Sequence, residues 1–380
     1  MDRIEIKPDL FQWAIRRSGH TTMDLASRFP KITNWIEGTS SPTLKQLEHF
    51  ATATKTPIGY LFLTHPPDEK VPIPDYRKSI TFQRRPPSPD LLETIYICQQ
   101  RQEWFRDFSR SRGDKSLPYV GSVTVKSDIV RTAAEIRKTL SIDVNERSNL
   151  STWTKALRQF ITQADAIGIL VMVNGVVGTN NHRKLDPQEF RGFALADDTA
   201  PLVFINGADT KAAQMFTLAH EIAHIWLGHS ALSDTEASEI PNNETEQWCN
   251  KVAAELLVPL ELIRKEYQKD EPLFEEMNRL AKYFKVSTLV ILRRIYDAGG
   301  LNQKQMWEEY HKELQRLKKM PGGSGGDFYL TQIARVSKRF ARALVISTLE
   351  GQTLYTDAYQ LLGFSKLETF QNLGERVGVF

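Results

Sequence analysis

Three residues near the middle of the chain have the types and the spacing of a hydrolytic metal site. His220, Glu221 and His224 form the pattern H-E-x-x-H. On a helix, residues four positions apart share a face, so both imidazoles can bind one metal ion beside the carboxylate. The flanks predict this helix independently, since residues 211–227 contain neither Pro nor Gly and Gly228 follows them. The motif therefore predicts a catalytic zinc site with Glu221 as general base.

The residues before this helix are predicted to place it against a sheet. Asp209 or Thr210 is the expected N-cap. Residues 200–207 form an apolar run between turn residues, which predicts a strand that is central or close to the cleft. Residues 167–173 predict another strand, and Asn174-Gly175 predicts a hairpin after it. An open strand edge would allow an extended substrate to bind by β-addition.

A hydrolytic zinc ion needs a third protein ligand and an open fourth position. His229 is close in sequence, but it follows the helix-ending Gly and is one residue short of the metzincin spacing. A second predicted helix, residues 244–257, offers Glu246, with Asn250 one turn later as a polar partner outside the ligand set. Glu255 on the same helix is the alternative carboxylate ligand.

These motifs closely resemble those of the ImmA/IrrE metallo-endopeptidases, peptidase family M78. The segments that carry the resemblance are Phe216–His224 and Glu246–Pro259, with Phe190–Ala194, Pro201–Asn206 and Leu280–Ser287 around them. The resemblance covers roughly residues 150–300 and implies a zincin-like peptidase. It also implies that zinc is held by His220, His224 and Glu246.

The second helix departs from the family pattern at two positions. Trp248 and Cys249 stand where the family usually has a second acid and an alanine. A thiol three positions from a carboxylate makes an unusual zinc site, so Cys249 is expected to be a small buried residue. The departure therefore changes the packing beside the proposed ligand and leaves the ligand itself in place.

Composition places the chain among ordinary globular proteins. It has 380 residues, of which 41% are hydrophobic and 25% charged, enough for two to four domains. Two cysteines, Cys98 and Cys249, provide no disulfide framework and are typical of a reducing cytoplasm. The longest apolar run, residues 166–173, is too short to span a bilayer. We therefore expect a soluble cytoplasmic protein without membrane contact, whose net charge of +3 permits nucleic-acid binding without requiring it.

The first 65 residues predict several short helices and resemble an Xre/Cro-type helix-turn-helix. However, only eight residues separate Ala26 from Trp35, and Pro30 lies among them, so the recognition helix is expected to be short. The candidate DNA-contacting residues are Arg28, Lys31, Thr33 and Asn34. Whether this degenerate module binds DNA or serves as a protein-contact surface is left open by the sequence.

Two basic segments raise a further question about partners. Arg101, Arg106 and Arg110 lie on the helix predicted for residues 89–112, where an exposed, solvated face is favoured over a phosphate-binding stripe. Near the C-terminus, four basic residues are predicted to share one helical face, where a solvated surface is favoured over docking of an acidic partner or nucleic acid. They are Arg335, Lys338, Arg339 and Arg342.

The predicted fold class is α+β and mostly helical, with a zincin-like core containing a small sheet and helical modules on both sides. The predicted segments are residues 1–65 (helix-turn-helix-like), 66–145 (proline-rich connector and helices), 146–265 (peptidase), 266–320 (helical extension), 321–326 (Gly/Ser linker) and 327–380 (C-terminal helical module). This order of modules resembles antitoxins of toxin–antitoxin pairs.

Two functions of different classes follow from these features. The first is a zinc-dependent endopeptidase that cleaves a regulatory protein, either an Xre-type repressor or a toxin–antitoxin partner. The alternative is a non-catalytic antitoxin or transcriptional regulator that binds a toxin, DNA or both. Specific DNA binding by such a short recognition helix would require a homodimer or a partner protein to align two half-sites.

Overall fold

The structure is a computed structural model that describes residues 3–77, 86–233, 243–318 and 333–380. The chain divides into two compact units, one formed by Met1–Pro72 with Ser79–Ile95 and the other by Ile73–Lys78 with Tyr96–Phe380. The predicted Gly/Ser linker at residues 321–326 lies outside the described residues.

The described residues of the first unit form four short α-helices, a 3₁₀-helix and the first turns of a long helix that begins at Pro89. The first five are α1 (Pro8–Arg17), α2 (Thr22–Ala26), α3 (Ile32–Ile36), α4 (Leu44–Ala53) and the 3₁₀-helix Ile58–Phe62. Thr21 and Thr43 begin α2 and α4 with capping boxes, in which their hydroxyls accept backbone hydrogen bonds. The core between the helices is largely aromatic, with Phe11, Trp35 and Phe50 fully buried. The third helix has only five residues, as the short gap before Trp35 predicts.

Thirteen further helices and six strands follow in the described residues, together with a helical segment at residues 333–336, which confirms the mostly helical α+β class. The helices are α5 (Pro89–Ser111), α6 (Ile129–Leu140), α7 (Val144–Ser148), α8 (Trp153–Ala166), α9 (Lys211–Leu227), α10 (Glu244–Leu257), α11 (Leu260–Glu266), α12 (Leu273–Phe284), α13 (Thr288–Asp297), α14 (Gln303–Lys318), α15 (Lys338–Leu349), α16 (Tyr355–Leu362) and α17 (Leu367–Arg376). In the described part of the chain, no helix has the length and apolarity needed to cross a membrane.

The larger sheet has four strands in the order β1-β5-β4-β6. The strands are β1 (Leu170–Asn174), β4 (Gly192–Leu195), β5 (Leu202–Asn206) and β6 (Ala231–Ser233). Strand β1 runs parallel to β5, whereas β4 is antiparallel to both of its neighbours. Because β5 is paired on both sides and fully buried, it is central and offers no edge to a substrate.

The hairpin predicted at Asn174-Gly175 is wrong. Strand β2 (Val176–Val177) pairs instead with β3 (Asn180–Lys184) in a separate two-stranded sheet, and all five residues of β1 pair with β5. Four of the five β1 residues are buried. Burial of this apolar strand in the sheet therefore outweighs the local turn signal.

Helix α9 is the central helix of the second unit and is buried from Gln214 to Leu227. It begins at the N-cap Thr210, whose hydroxyl accepts the Ala213 amide, and it ends at Gly228, which has a φ of 70°. A Cβ at Gly228 would lie 2.9 Å from the Gly121 Cα, so a side chain would not fit there even without backbone strain. Both helix ends are thus determined by local residues.

Arg101 packs inside the second unit, which overturns the exposed face predicted for it. Its side chain donates hydrogen bonds to the backbone carbonyls of Leu361 (2.9 Å) and Arg335 (3.2 Å). Nearby, the Ser337 hydroxyl donates to Asp165 Oδ1 at 2.9 Å. These contacts attach the C-terminal helices to α5 and α8. The buried polar groups of the two regions serve as hydrogen-bond partners for one another.

The predicted single basic face near the C-terminus is also wrong. Helix α15 begins only at Lys338, since Ser337 has a φ of 68° and caps the helix through its hydroxyl. Arg335 therefore lies on a separate helical segment, residues 333–336, and the Arg339 guanidinium lies 5.6 Å from the centroid of the Phe105 ring. A positive φ at Ser337 interrupts the periodicity on which the prediction depended.

Candidate metal centre

Helices α9 and α10 bring together three side chains that could hold one metal ion. The Nε2 atoms of His220 and His224 are 3.0 Å apart. Glu246 Oε1 lies 2.9 Å from His224 Nε2, and Glu246 Oε2 lies 3.3 Å from His220 Nε2. A tetrahedral zinc ion with bonds of about 2.0–2.1 Å separates its ligand atoms by about 3.3 Å. The three distances therefore fit a zinc ion with small adjustments of the side chains.

Hydrogen bonding directs a lone pair of His220 toward the centre of this group. His220 Nδ1 lies 2.9 Å from Asn250 Oδ1, and an amide oxygen can only accept, so Nδ1 carries the proton. The Nε2 atom of His220 then presents its lone pair to His224 and Glu246. A cation would satisfy this lone pair and the Glu246 carboxylate together, as expected for a histidine ligand whose partner Asn250 fixes the tautomer.

The pKa shifts of the ligands agree with this interpretation. Burial lowers the pKa of His224, so that the imidazole is neutral as metal binding requires. Burial acts to raise the pKa of Glu246, but the neighbouring imidazoles of His220 and His224 lower it well below its usual range. A neutral imidazole and an ionised carboxylate are the ligand forms that Zn²⁺ takes.

Glu221 lies beside the ligands and is fully buried. Neither of its carboxylate oxygens has a hydrogen-bond partner within the described chain. Burial raises the pKa of Glu221 well above its usual value, the negative charge of Glu246 raises it further, and the nearby Ser233 hydroxyl opposes them. A carboxylate with a raised pKa and free oxygens is suited to take up a proton near neutral pH.

The comparison with protein families identifies the segment that carries this site. Residues 164–296 match the peptidase M78 family, described as the IrrE N-terminal-like domain. This M78 domain includes α9, α10 and all three potential ligands, so the match supports a metallopeptidase of the ImmA/IrrE type. Residues 336–376 match a domain of unknown function, DUF8813. No curated protein matches the chain.

The structure places the alternative carboxylate, Glu255, away from the ligand group. Its carboxylate forms a buried ion pair with Arg294 and accepts the Leu260 amide at 3.2 Å. Arg294 also donates to the Val258 carbonyl at 2.8 Å. Glu255 thus holds the end of α10 to α13. His229, the other alternative, is exposed beyond the end of α9.

The two residues that depart from the family pattern are buried in the M78 domain. Cys249 is fully buried, and burial raises the pKa of its thiol well above the usual value. Its sulfur is not part of the group formed by His220, His224 and Glu246. Trp248 donates its indole N–H to the Ser127 carbonyl at 3.0 Å and so ties α10 to the residues before α6.

Gly192 is a site residue whose role the sequence did not reveal. It begins β4, and a Cβ at this position would lie 2.6 Å from Thr217 Cγ2, 2.8 Å from the Phe204 carbonyl oxygen and 3.3 Å from Glu221 Oε1. Only glycine lets β4 approach α9 this closely. Gly192 belongs to the segment that resembles the family, but no local pattern indicates that it lies against Glu221.

Tyr76 is a second residue that the sequence analysis left out of the site. Its ring lies nearly parallel to the His224 ring, with centroids 6.3 Å apart. Its amide donates to the Leu232 carbonyl at 3.0 Å, and the Leu232 amide donates to the Pro74 carbonyl at 2.9 Å. Residues 74–76 therefore pair with β6. The sequence shows them only as part of a proline-rich connector.

The candidate DNA-contacting residues all lie in the first unit and are exposed. Lys31 precedes α3, while Thr33 and Asn34 lie on its outer side. The Arg28 guanidinium lies 5.6 Å from the centroid of the Phe29 ring. These four side chains are accessible, as contacts to a phosphate backbone or to bases require.

Proposed function

We propose that the chain is a zinc-dependent endopeptidase that cleaves a regulatory protein. The observation that supports this best is the convergence of three ligand atoms, 2.9–3.3 Å apart, beside the buried carboxylate of Glu221. Structural zinc sites usually have four protein ligands, whereas hydrolytic sites have three and an open position. Three ligands among the described residues, with an adjacent base, therefore favour hydrolysis.

Each residue of the group has a distinct role in this proposal. His220, His224 and Glu246 hold the ion, and Asn250 fixes the ring orientation of His220. A bound Zn²⁺ supplies Lewis acidity that polarises the scissile carbonyl. Glu221 accepts a proton from the attacking water and transfers it to the leaving amine, since both of its carboxylate oxygens are without a hydrogen-bond partner in the described chain.

The substrate class is inferred from the resemblance to ImmA/IrrE proteins and from the modules beside the M78 domain. We expect a regulatory protein in the cytoplasm, either an Xre-type repressor or the partner of a toxin–antitoxin pair. Proteins encoded beside the gene are the first candidates. Composition without a disulfide framework agrees with this compartment.

The test compares wild type with Glu221→Gln, using purified full-length protein and the neighbouring gene products. Both proteins should carry about one zinc per chain, and only wild type should cleave. Cys249→Ala is the control, since it changes a buried side chain near the ligands without removing one, and it should retain zinc and cleavage. A wild-type protein that binds no zinc when zinc is supplied would rule out this function.

A second function, as a non-catalytic antitoxin or transcriptional regulator, is favoured by the exposed side chains of the first unit. Arg28, Lys31, Thr33 and Asn34 occupy one short stretch around α3. A homodimer would bring two such stretches to adjacent half-sites. Specific binding of the full chain to its own promoter, with no cleavage of any neighbouring product, would favour this function.

A further inference from the structure

We propose that residues 74–77, called the strap below, occupy the strand position that a peptide substrate takes beside the metal centre. The strap must then leave before cleavage can occur. This inference rests on the proposed peptidase function and concerns how access to the same site is regulated.

The strap lies on the sheet edge that borders the catalytic group. Strand β6 ends the sheet, and its Ser233 pairs with Gly192, the residue packed against Glu221. The opposite end of the sheet is β1, separated from β4 by β5. A substrate that adds a strand beside Glu221 would therefore use the outer edge of β6. The two hydrogen bonds between the strap and Leu232 already occupy that edge.

The ligand group is closed while the strap is in place. The side chains of His220 and His224 are 0% exposed and that of Glu246 is 3% exposed. A substrate carbonyl must reach the open position on the metal, but the Tyr76 ring lies alongside the His224 ring, with centroids 6.3 Å apart. A movement is therefore required before a peptide can bind, and the strap is a segment beside the ligand group that also pairs with β6 as an added strand would.

Among the described residues, an ion pair, a ring contact and two backbone hydrogen bonds attach the strap to the M78 domain. Arg77 pairs with Asp75 inside the strap, through contacts of 3.0 Å and 2.8 Å, and this pair does not attach the strap to its surroundings. The Arg77 contact to Glu189 is longer, at 3.4 Å. The Tyr76 ring lies beside the His224 ring, and the two backbone hydrogen bonds join the strap to Leu232. A peptide strand can replace these two backbone hydrogen bonds with equivalent ones to the same edge.

The first experiment measures access to the metal in full-length, zinc-loaded protein. Tyr76→Pro removes the ring and the N–H that donates to Leu232, whereas Tyr76→Phe keeps the ring and the amide. The chelator 4-(2-pyridylazo)resorcinol should remove zinc about ten-fold faster from Tyr76→Pro than from wild type, and Tyr76→Phe should match wild type. Equal rates in folded Tyr76→Pro and wild type would overturn the proposal.

A folding failure of Tyr76→Pro does not end the test. Arg77→Ala removes the contact to Glu189 and leaves both backbone hydrogen bonds, so it should accelerate zinc removal about two- to three-fold. Circular dichroism identifies which variants are folded. No acceleration in a folded Arg77→Ala protein, when Tyr76→Pro does not fold, would also overturn the proposal.

The second experiment asks whether the edge accepts a strand in trans. A labelled synthetic peptide of residues 71–78 should bind Tyr76→Pro, as measured by fluorescence anisotropy, and should not bind wild type or Tyr76→Phe. The same peptide with proline in place of its tyrosine is the control and should bind at least about ten-fold more weakly. Equal binding of both peptides, or no binding to folded Tyr76→Pro, would refute strand addition.

These measurements separate the strap from the peptidase function. In metal-free protein, diethyl pyrocarbonate should modify His220 and His224 faster in Tyr76→Pro than in wild type, as mapped by mass spectrometry. This result and the peptide binding do not require zinc or cleavage. If the protein binds no zinc but gives both of these results, the strap proposal stands and the peptidase proposal is wrong. If the protein cleaves in a zinc-dependent way, but the variants show unchanged histidine modification and no peptide binding, the peptidase proposal stands and the strap proposal is wrong.

Discussion

Helix α10 contains two buried glutamates that allow a matched test of the ligand assignment. Glu246 and Glu255 are 2% and 4% exposed, respectively. Glu246 faces His220 and His224, whereas Glu255 pairs with Arg294. We predict that Glu246→Ala loses zinc affinity and that Glu255→Ala loses stability, although both changes remove the same atoms from the same helix.

The expected magnitudes follow from what each carboxylate contacts. Loss of one charged ligand from a three-ligand set should weaken zinc binding about 10- to 1,000-fold, or about 1.4–4 kcal/mol. Removal of Glu255 leaves the Arg294 guanidinium buried without its main partner, which costs about 3–5 kcal/mol in such pairs. Arg294 keeps a 3.2 Å contact to Asp297, so we expect the lower end, about 3 kcal/mol.

The assay combines zinc competition with urea unfolding of the metal-free proteins. Glu255→Ala should bind zinc within about three-fold of wild type under conditions where it is folded, because its carboxylate contacts no ligand. Glu246→Ala should show the large loss of affinity. If Glu255→Ala strips the metal and Glu246→Ala retains it, the ligand assignment and the argument from lone pairs are both wrong.

Three further predictions test separate parts of the chain. Burial raises the pKa of Asp165 from 3.8 to about 6, so the unfolded chain loses the proton of this carboxyl at a lower pH than the folded protein does. Wild-type stability therefore falls as the pH rises from 3.8 to about 6. Asp165→Asn should therefore raise the free energy of unfolding by up to about 3 kcal/mol above pH 6 and by little below pH 4, and urea titrations at both pH values check this. Lys31→Ala should lower the salt dependence of DNA binding by about one phosphate contact, as measured in anisotropy titrations. In the same assay, Thr33→Ala and Asn34→Ala should leave the sequence preference unchanged, and a loss of preference would show that these side chains read bases. Gly192→Ala should destabilise the protein by about 1–3 kcal/mol and slow cleavage, because its Cβ would meet the Phe204 carbonyl; wild-type stability in urea would contradict the packing argument.

The helices of the site could be predicted from the sequence because their signals are local. Thr210 and Gly228 border α9, and the observed helix has the predicted bounds, Lys211–Leu227. The same is true of α10, Glu244–Leu257, which begins after the cap Asn243. Capping residues act within one turn of the chain, so a single sequence contains the information that determines the helix ends.

The choice between Glu246 and Glu255 could not be made from spacing alone. Both lie on the predicted helix, and either could supply a carboxylate. The structure distinguishes them through Arg294, a residue 39 positions after Glu255 that occupies its carboxylate. Such a pairing depends on how α13 packs against the end of α10, and helical periodicity does not contain that information.

The strand pairings were the part of the fold that local patterns described least well. Asn174-Gly175 is a strong turn signal, yet β1 pairs with β5 across 32 residues of sequence. The three-residue strand β6 was not predicted, and its partner segment at Pro74 precedes it by more than 150 residues. Pairing partners are selected by burial of whole strands, so residues far apart in sequence decide them together.

Helix ends are determined by local residues and strand pairings by residues far apart in sequence, so the metal-binding group and the access to it depend on different parts of the chain. The group that could hold a metal ion comes from α9 and α10, where spacing and caps place His220, His224 and Glu246. Access to the group depends on β6 and on Tyr76, which reach it only through long-range pairing. A chain could therefore keep its metal-binding motif while a change in the connector alters whether a peptide reaches the metal. Among chains that keep all three ligands, we expect differences in peptidase activity to correlate with the identity of residues 74–77. These residues determine how strongly the strap binds to the β6 edge beside Glu221.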